Sequence, residues 1–305
     1  MENDSMASAS VKSPSITRNS VTPADLSITP RDRRFGRDEA TPRWWHGGRP
    51  EASAFYNALS ATFPVGEAFF VESVRKFRDG AEPRLAEEIK AFTTQEVIHS
   101  REHLAFNRRA ADSGYDLTKL EERVDARLAI TRTKPPIVSL AATMGLEHFT
   151  AILAHEILGN PRHFAGADPA TAALWKWHAS EEIEHKGVAY DTWLHATRNW
   201  PAGKRWKVKA KVMLFITRNF LVDRTAGALE LLRQDGITGL RAWSRLLWYM
   251  WIRPGMMRKI AVAWGKFFLP NFHPWNEDDR ALIADYDAVA PVAEPAKKVR
   301  RARAA

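Results

Sequence analysis

The chain has 305 residues, 45 Lys and Arg against 36 Asp and Glu, a formal charge of +9 and no cysteine. Without cysteine there is no disulfide, no thiolate metal site and no cysteine nucleophile, so any metal must be held by nitrogen and oxygen, a donor set that suits Fe, Mn or Zn. The positive excess is concentrated at 204–211, KRWKVKAK, and at 297–303, KKVRRAR. Such blocks read as a solvated face and a tail, or as a surface for anionic lipid; no recognised nucleic-acid motif accompanies them, and no nucleic-acid partner is expected.

The first 30 residues are rich in Ser, Thr and Pro and lack the apolar stretch of a secretion signal. Residues 1–42 are expected to be disordered, with order beginning near Arg43 in TPRWWHGGRP. Pro50 opens a first long helix running to about Arg78, with Phe55, Leu59, Phe63, Phe70 and Val74 at helical spacing and Glu67 on the same stripe. A second helix spans roughly 82–112, carries Glu96, His99 and His103, and stops before Ser113-Gly114. A short charged helix over about 117–131 reads as a connector. Pro135-Pro136 starts a third helix through Leu158, ended by Gly159-Asn160-Pro161. Asp168-Pro169 is an N-cap and first-turn pair for a fourth helix to about Thr197.

These elements predict an all-α chain: a ferritin-like four-helix bundle over 43–200 with a crossover link between its second and third helices. Residues 201–290 are expected to add two or three aromatic-rich basic helices packed on the bundle, followed by a basic tail, 291–305. No run of 18 apolar residues occurs, so no membrane-spanning helix is expected. The reading is cytoplasmic, with two alternatives for 204–270: helices covering one end of the bundle, or a surface that meets the inner membrane or admits a greasy substrate. Trp206, Phe215, Phe220, Trp243, Trp248, Trp251, Trp264, Phe267 and Phe268 carry that second alternative. The oligomeric state is left open.

The chemistry lies in two mirrored segments, Glu96-x-x-His99 and Glu182-x-x-His185. A Glu and a His three residues apart share one helix face. Two such pairs on two helices, with one Glu from each of two others, hold two metal ions in carboxylate-bridged bundles. Glu67 lies before the first pair and Glu147 between them, so the order Glu, Glu-x-x-His, Glu, Glu-x-x-His is complete. Each sits among apolar residues, where an unpaired carboxylate costs roughly 2–7 kcal/mol or more. A buried salt-bridge network is the alternative to a metal pair. His178, four residues before Glu182, shares its face and is placed either as a third histidine ligand or as a donor behind the ligands. His103 is placed behind them or along an access channel. Glu181, Glu184 and Glu102 are turned by about 100° or more from these faces and are expected in solvent or in ion pairs with Lys186 or Arg101. No catalytic residue is expected beyond the metal ligands.

At FTTQEVIHSREHLAFN, GLEHFTAILAHE, WHASEEIEHKGVAYD and FLPNFHPW the chain resembles the bacterial proteins labelled "predicted metal-dependent hydrolase", of ferritin-like helical type, over about residues 30–285. That resemblance implies hydrolysis at a metal site. The ligand arrangement is also similar to the carboxylate-bridged di-iron oxygenases, and the His178 spacing to the p-aminobenzoate N-oxygenases, where a third histidine on the last bundle helix binds iron. The leading expectation is therefore a di-iron enzyme that activates O₂ to oxidise a small or hydrophobic, lipid-like substrate, with the two Fe ions (alternatively Mn or Zn) bridged by Glu96, Glu147 or both. Hydrolysis by the same site is the first alternative, although the apolar surroundings argue against phosphate esters. A non-catalytic metal-binding or membrane-peripheral protein is the second.

Overall fold

The computed structural model describes residues 21–36 and 40–290. Its regular structure is helical: α1 (Pro50–Ser60), α2 (Phe63–Arg75), α3 (Pro83–Asp112), α4 (Thr118–Arg132), α5 (Pro136–Gly159), α6 (Pro169–His185), α7 (Val188–Ala196), α8 (Ala202–Gln234), α9 (Gly239–Leu247), α10 (Met256–Lys266) and α11 (Arg280–Val289). Among the described residues the nearest thing to a strand is one isolated bridge between His46 and Ala167. Prolines mark the starts. Pro50, Pro83, Pro136 and Pro169 sit in first turns, where a missing N–H costs nothing. Asp168 caps α6 by accepting from the Thr171 N–H at 2.8 Å.

Two helices read as continuous are broken. The first ends at Ser60 and restarts at Phe63 as α2, because Pro64 cannot donate to the Ser60 carbonyl and its ring clashes there; Thr62 Oγ1 closes the break by donating to the Leu59 carbonyl at 2.8 Å. The fourth breaks after His185, and α7 begins at Val188. Gly187 at this junction is a close approach: a Cβ there would lie 2.7 Å from Thr22 Oγ1 and 3.0 Å from the Trp275 ring.

Helix α2 packs on α3 and α5, and α6 closes the ring by packing on the same two. The four helices that carry the candidate ligands thus surround one interior. The long α8 lies across α1 and α5, α10 packs on α5, and α11 covers α6. Helix α5 is long and apolar enough to cross a membrane by length and composition, but 78% of its apolar window is buried inside the fold and Glu147 sits within it, so here it is the core helix.

Order begins earlier than near Arg43. The segment before it is extended and strapped over α3 and α6: the Arg31 N–H donates to Glu181 Oε1 at 2.8 Å, and its guanidinium meets Glu184 Oε1 at 2.7 Å and Asp287 Oδ2 at 3.0 Å. Ile28 and Phe35 pack on the core. The expected disorder over 1–42 is corrected for 21–36; residues 1–20 and the basic tail 291–305 lie outside the described residues.

The 204–270 region supplies α8, α9, a π-helical turn at Trp248–Ile252, and α10. Trp206, Phe215, Trp243, Trp248 and Trp251 are exposed, Phe220, Trp264 and Phe268 are half-buried, and Phe267 is buried.

Candidate metal centre

The ring of α2, α3, α5 and α6 brings all seven expected ligands together in its interior. Glu67, Glu96, His99, Glu147, His178, Glu182 and His185 are each 4% exposed or less. Three overlapping groups have potential ligand atoms within 4.8 Å of one another: Glu67, His99 and His178; Glu96, His99 and Glu182; Glu96, Glu147 and His185. His185 Nε2 lies 3.2 Å from Glu96 Oε1, 3.4 Å from Glu147 Oε2 and 3.5 Å from Glu182 Oε2. His99 Nδ1 lies 3.8 Å from both Glu96 Oε1 and Glu182 Oε1. His178 Nε2 lies 2.7 Å from Glu182 Oε1 and 3.9 Å from Glu67 Oε1.

The arrangement has two ends. Glu67, His99 and His178 form one; Glu147 and His185 form the other. Glu96 and Glu182 lie between them, Glu182 presenting Oε1 to His99 and His178 and Oε2 to His185. Of the two carboxylates named as bridges, Glu96 lies between the ends, while Glu147 is grouped with Glu96 and His185 at one end; Glu182 also faces both ends.

The surrounding hydrogen bonds leave one set of atoms unused, and those atoms face one another. Glu67 Oε1, both oxygens of Glu96 and of Glu147, Glu182 Oε2, His99 Nδ1 and His185 Nε2 are buried without a hydrogen-bond partner. Their other polar atoms are held. His99 Nε2 donates to Glu181 Oε2 at 3.0 Å, His185 Nδ1 donates to Gln95 Oε1 at 3.0 Å, and Glu67 Oε2 accepts from Ser100 Oγ at 2.7 Å. Each imidazole is thus fixed with its unprotonated nitrogen toward the cluster, as a histidine that binds metal requires.

His178 is oriented by a longer chain. The Asn107 amide NH₂ donates to the Ser60 carbonyl at 3.2 Å, which leaves its Oδ1 to accept the Ser60 hydroxyl at 2.7 Å. Ser60 Oγ then accepts from His103 Nδ1 at 2.8 Å, and His103 Nε2 accepts from His178 Nδ1 at 2.6 Å. This chain points His178 Nε2 at the Glu182 carboxylate, 2.7 Å away, where a cation held by both groups would fit. His103 is buried and lies between His178 and Ser60 in this chain.

Electrostatics give the same result. Burial pushes the carboxyls of Glu67, Glu96 and Glu147 well above the usual range, and neighbouring carboxylates push them further. Burial also pushes Glu182 up, but His185 and His178 outweigh it and hold that carboxyl well below the usual range. Burial holds the His99 and His103 rings neutral. No Lys or Arg forms an ion pair with any of these four acids among the described residues. Elsewhere in the same bundle buried acids are matched by cations: Glu184 by Arg31, and Glu102 by Arg101 at 2.7 Å. Four buried carboxylates with no Lys or Arg beside them call for cationic charge, which two divalent cations would supply.

Sequence reasoning missed the residues behind the ligands. Glu181 and Glu184 are buried and paired with Arg31, not solvated or paired with Lys186; Lys186 meets Asp279 at 2.6 Å. Glu102 does pair with Arg101. Gln95 gave a faint signal as the polar neighbour of Glu96.

The class of protein this defines is an all-α protein with a buried carboxylate–histidine cluster that could hold metal. The family model described as "predicted metal-dependent hydrolase" matches residues 29–278, and the chain belongs to that family. No curated protein and no solved structure matches the chain.

Proposed function

We propose that the protein is a hydrolase whose active centre is a pair of divalent metal ions held by Glu67, Glu96, His99, Glu147, His178, Glu182 and His185. The observation that carries this is the set of buried ligand atoms, without a protein hydrogen-bond partner, that converge in the interior. The ring of α2, α3, α5 and α6 and the two Glu-x-x-His pairs support a ferritin-like arrangement. Bound metals would supply Lewis acidity, activating water and polarising a carbonyl. The chain's own residues do the rest. Glu96 and Glu182 span the two positions, Glu181 and Gln95 lock the ring orientations of His99 and His185, and the His103–Ser60–Asn107 chain locks that of His178.

Substrate access is supported by a cavity of about 200 Å³ with Glu67 in its wall. Leu59, Phe63, Phe70, Leu128, Ile216 and Phe220 also line it. Such walls hold an apolar chain and exclude bulk water, which favours a carboxylic ester or amide over a phosphate ester.

A second reading, oxidation by O₂ at two Fe ions, is favoured by the third imidazole, His178, and by the two spanning carboxylates. One experiment separates them. The purified protein, reconstituted with Fe, Mn or Zn, is assayed with p-nitrophenyl esters under argon and, separately, for O₂ consumption after anaerobic reduction. Hydrolysis without O₂ that depends on added metal supports the first reading. O₂ uptake with a transient visible absorption, and no ester turnover, replaces it with the second.

A partner reading follows from α9. Leu240, Trp243, Leu247, Trp248, Trp251 and Ile252 are exposed, while Ala242, Leu246, Tyr249 and Met250 on the opposite side are buried. From 236 to 276 the sequence has no Asp or Glu, and Arg241, Arg253 and Arg258 are exposed and form no ion pair among the described residues. Exposed rings rimmed by exposed cations suit the headgroup boundary of an anionic bilayer, and the membrane contact that is one of the two alternatives for 204–270 is proposed here for this stripe.

A further inference from the structure

The cavity beside Glu67 is lined mainly by apolar residues, with Arg127, Asp223 and Arg224 also in its wall. Asp223 is already engaged: Arg123 Nε lies 2.8 Å from Oδ1 and Arg127 Nε 2.6 Å from Oδ2. Arg224, the next residue on α8, is 6% exposed. It donates through one nitrogen to the Ala58 carbonyl at 2.8 Å and to the Thr62 hydroxyl, and no carboxylate lies within ion-pair distance of it among the described residues. Asp223 is thus taken by Arg123 and Arg127, and Arg224 is left without a carboxylate of its own. A buried cation matched only by a carbonyl and a hydroxyl is costly, and a guanidinium prefers the paired oxygens of a carboxylate. Burial pulls Arg224 down to about 10, the direction expected of a cation whose counter-ion is missing.

Geometry relates Arg224 to the Glu67 cluster. Arg224 is bonded at Thr62, and Glu67 is five residues further along the chain, about 7.5 Å at the helical rise of 1.5 Å per residue. Phe63, Phe70 and Leu146 line the same cavity.

We propose that the cavity binds an amphipathic anion: a medium-chain carboxylate whose charged group pairs with Arg224 and whose apolar chain runs along Phe63 and Phe70 toward Glu67. The identification of this molecule as substrate, an acyl compound with a free carboxylate, rests on the reading of the Glu67 cluster as the catalytic metal centre; the binding itself does not.

The probes are octanoate and its neutral counterpart octanol, titrated against the full-length protein by isothermal calorimetry, with metal content measured on the same samples. Octanoate is expected to bind about tenfold or more tightly than octanol, the worth of one charge-assisted hydrogen bond. Arg224→Gln should bring octanoate down to the level of octanol and leave octanol and metal content unchanged. Should that variant fail to fold by circular dichroism, Leu146→Trp, which fills the cavity, should abolish binding of both probes with metal retained. Equal binding of the two probes to the unsubstituted protein, or unaltered octanoate binding in either folded variant, overturns the proposal. A protein that binds octanoate but no metal keeps this proposal and refutes the metal centre; one that binds metal without preferring octanoate does the reverse.

Discussion

Removing metal should turn the cluster into a source of pH-dependent instability. In metal-free protein the Glu67, Glu96 and Glu147 carboxyls sit well above their ordinary value of 4.5, so the folded state holds their protons over a pH range in which the unfolded chain has released them. Groups raised in the folded state contribute stability that is present below 4.5 and lost as pH rises toward their folded values. Glu182 is depressed and is ionised in both states above pH 4.5, so it adds no slope there. Three protons give a slope of up to about 4 kcal/mol per pH unit at 1.36 kcal/mol each, against a total stability of about 5–15 kcal/mol. Glu181, pushed up to about 7 by burial, adds to the same trend. Chelator-treated protein should therefore show a urea midpoint that falls steeply between pH 5 and 7. Zn or Mn should flatten or reverse that fall, because bound metal keeps the carboxylates ionised and binds more tightly as pH rises. The pair Glu96→Gln and Glu147→Gln should flatten it in metal-free protein by removing two of the protons. A metal-free midpoint that stays level or rises from pH 5 to 7 would show that the four acids are already compensated, and the argument for two cations would fail.

Three further outcomes are expected. Glu181→Gln removes the carboxylate that His99 Nε2 donates to, and metal affinity measured by competition with a chelating dye should fall by about 10–100-fold, while the fold by circular dichroism is kept. Gly187→Val places side-chain atoms against Thr22 and Trp275 where a Cβ alone already lies within 3.0 Å; a cost of about 1–3 kcal/mol in urea denaturation is expected, and a change below 0.5 kcal/mol would mean that the α6–α7 junction has room to move. Wild-type protein should sediment with liposomes containing anionic phosphatidylglycerol, less so as salt is raised, and Trp243→Ser with Trp248→Ser should release it; protein that stays in the supernatant at low salt refutes the bilayer contact.

The clustering was legible because periodicity alone puts Glu96 with His99, Glu182 with His185, and Glu67 and Glu147 on apolar faces. The roles of their neighbours were not. Glu181 is turned by about 100° from the ligand face, and on a helix with one solvated side it would be wet. Helix α6 has no such side there, since α11 and the strap around Arg31 cover it. That strap was illegible for a related reason: its composition is that of a disordered segment, and it is ordered by pairing with acids about 150 residues away, which no local pattern reveals. Helix starts at Pro83, Pro136 and Pro169 were fixed by local chemistry. The break before α2 was written in Pro64 but outweighed by a continuous apolar stripe, and the break at Gly187 depends on Thr22 and Trp275, both remote in sequence.

Anomalous diffraction from crystals soaked in Mn or Zn tests the central claim most directly. Two peaks should appear about 3.5–4 Å apart, flanked by Glu96 and Glu182, one reached by Glu67, His99 and His178 and the other by Glu147 and His185, with bonds of about 2.0–2.2 Å. A cluster that stays metal-free at saturating metal, or ions bound only elsewhere on the protein, would contradict the account.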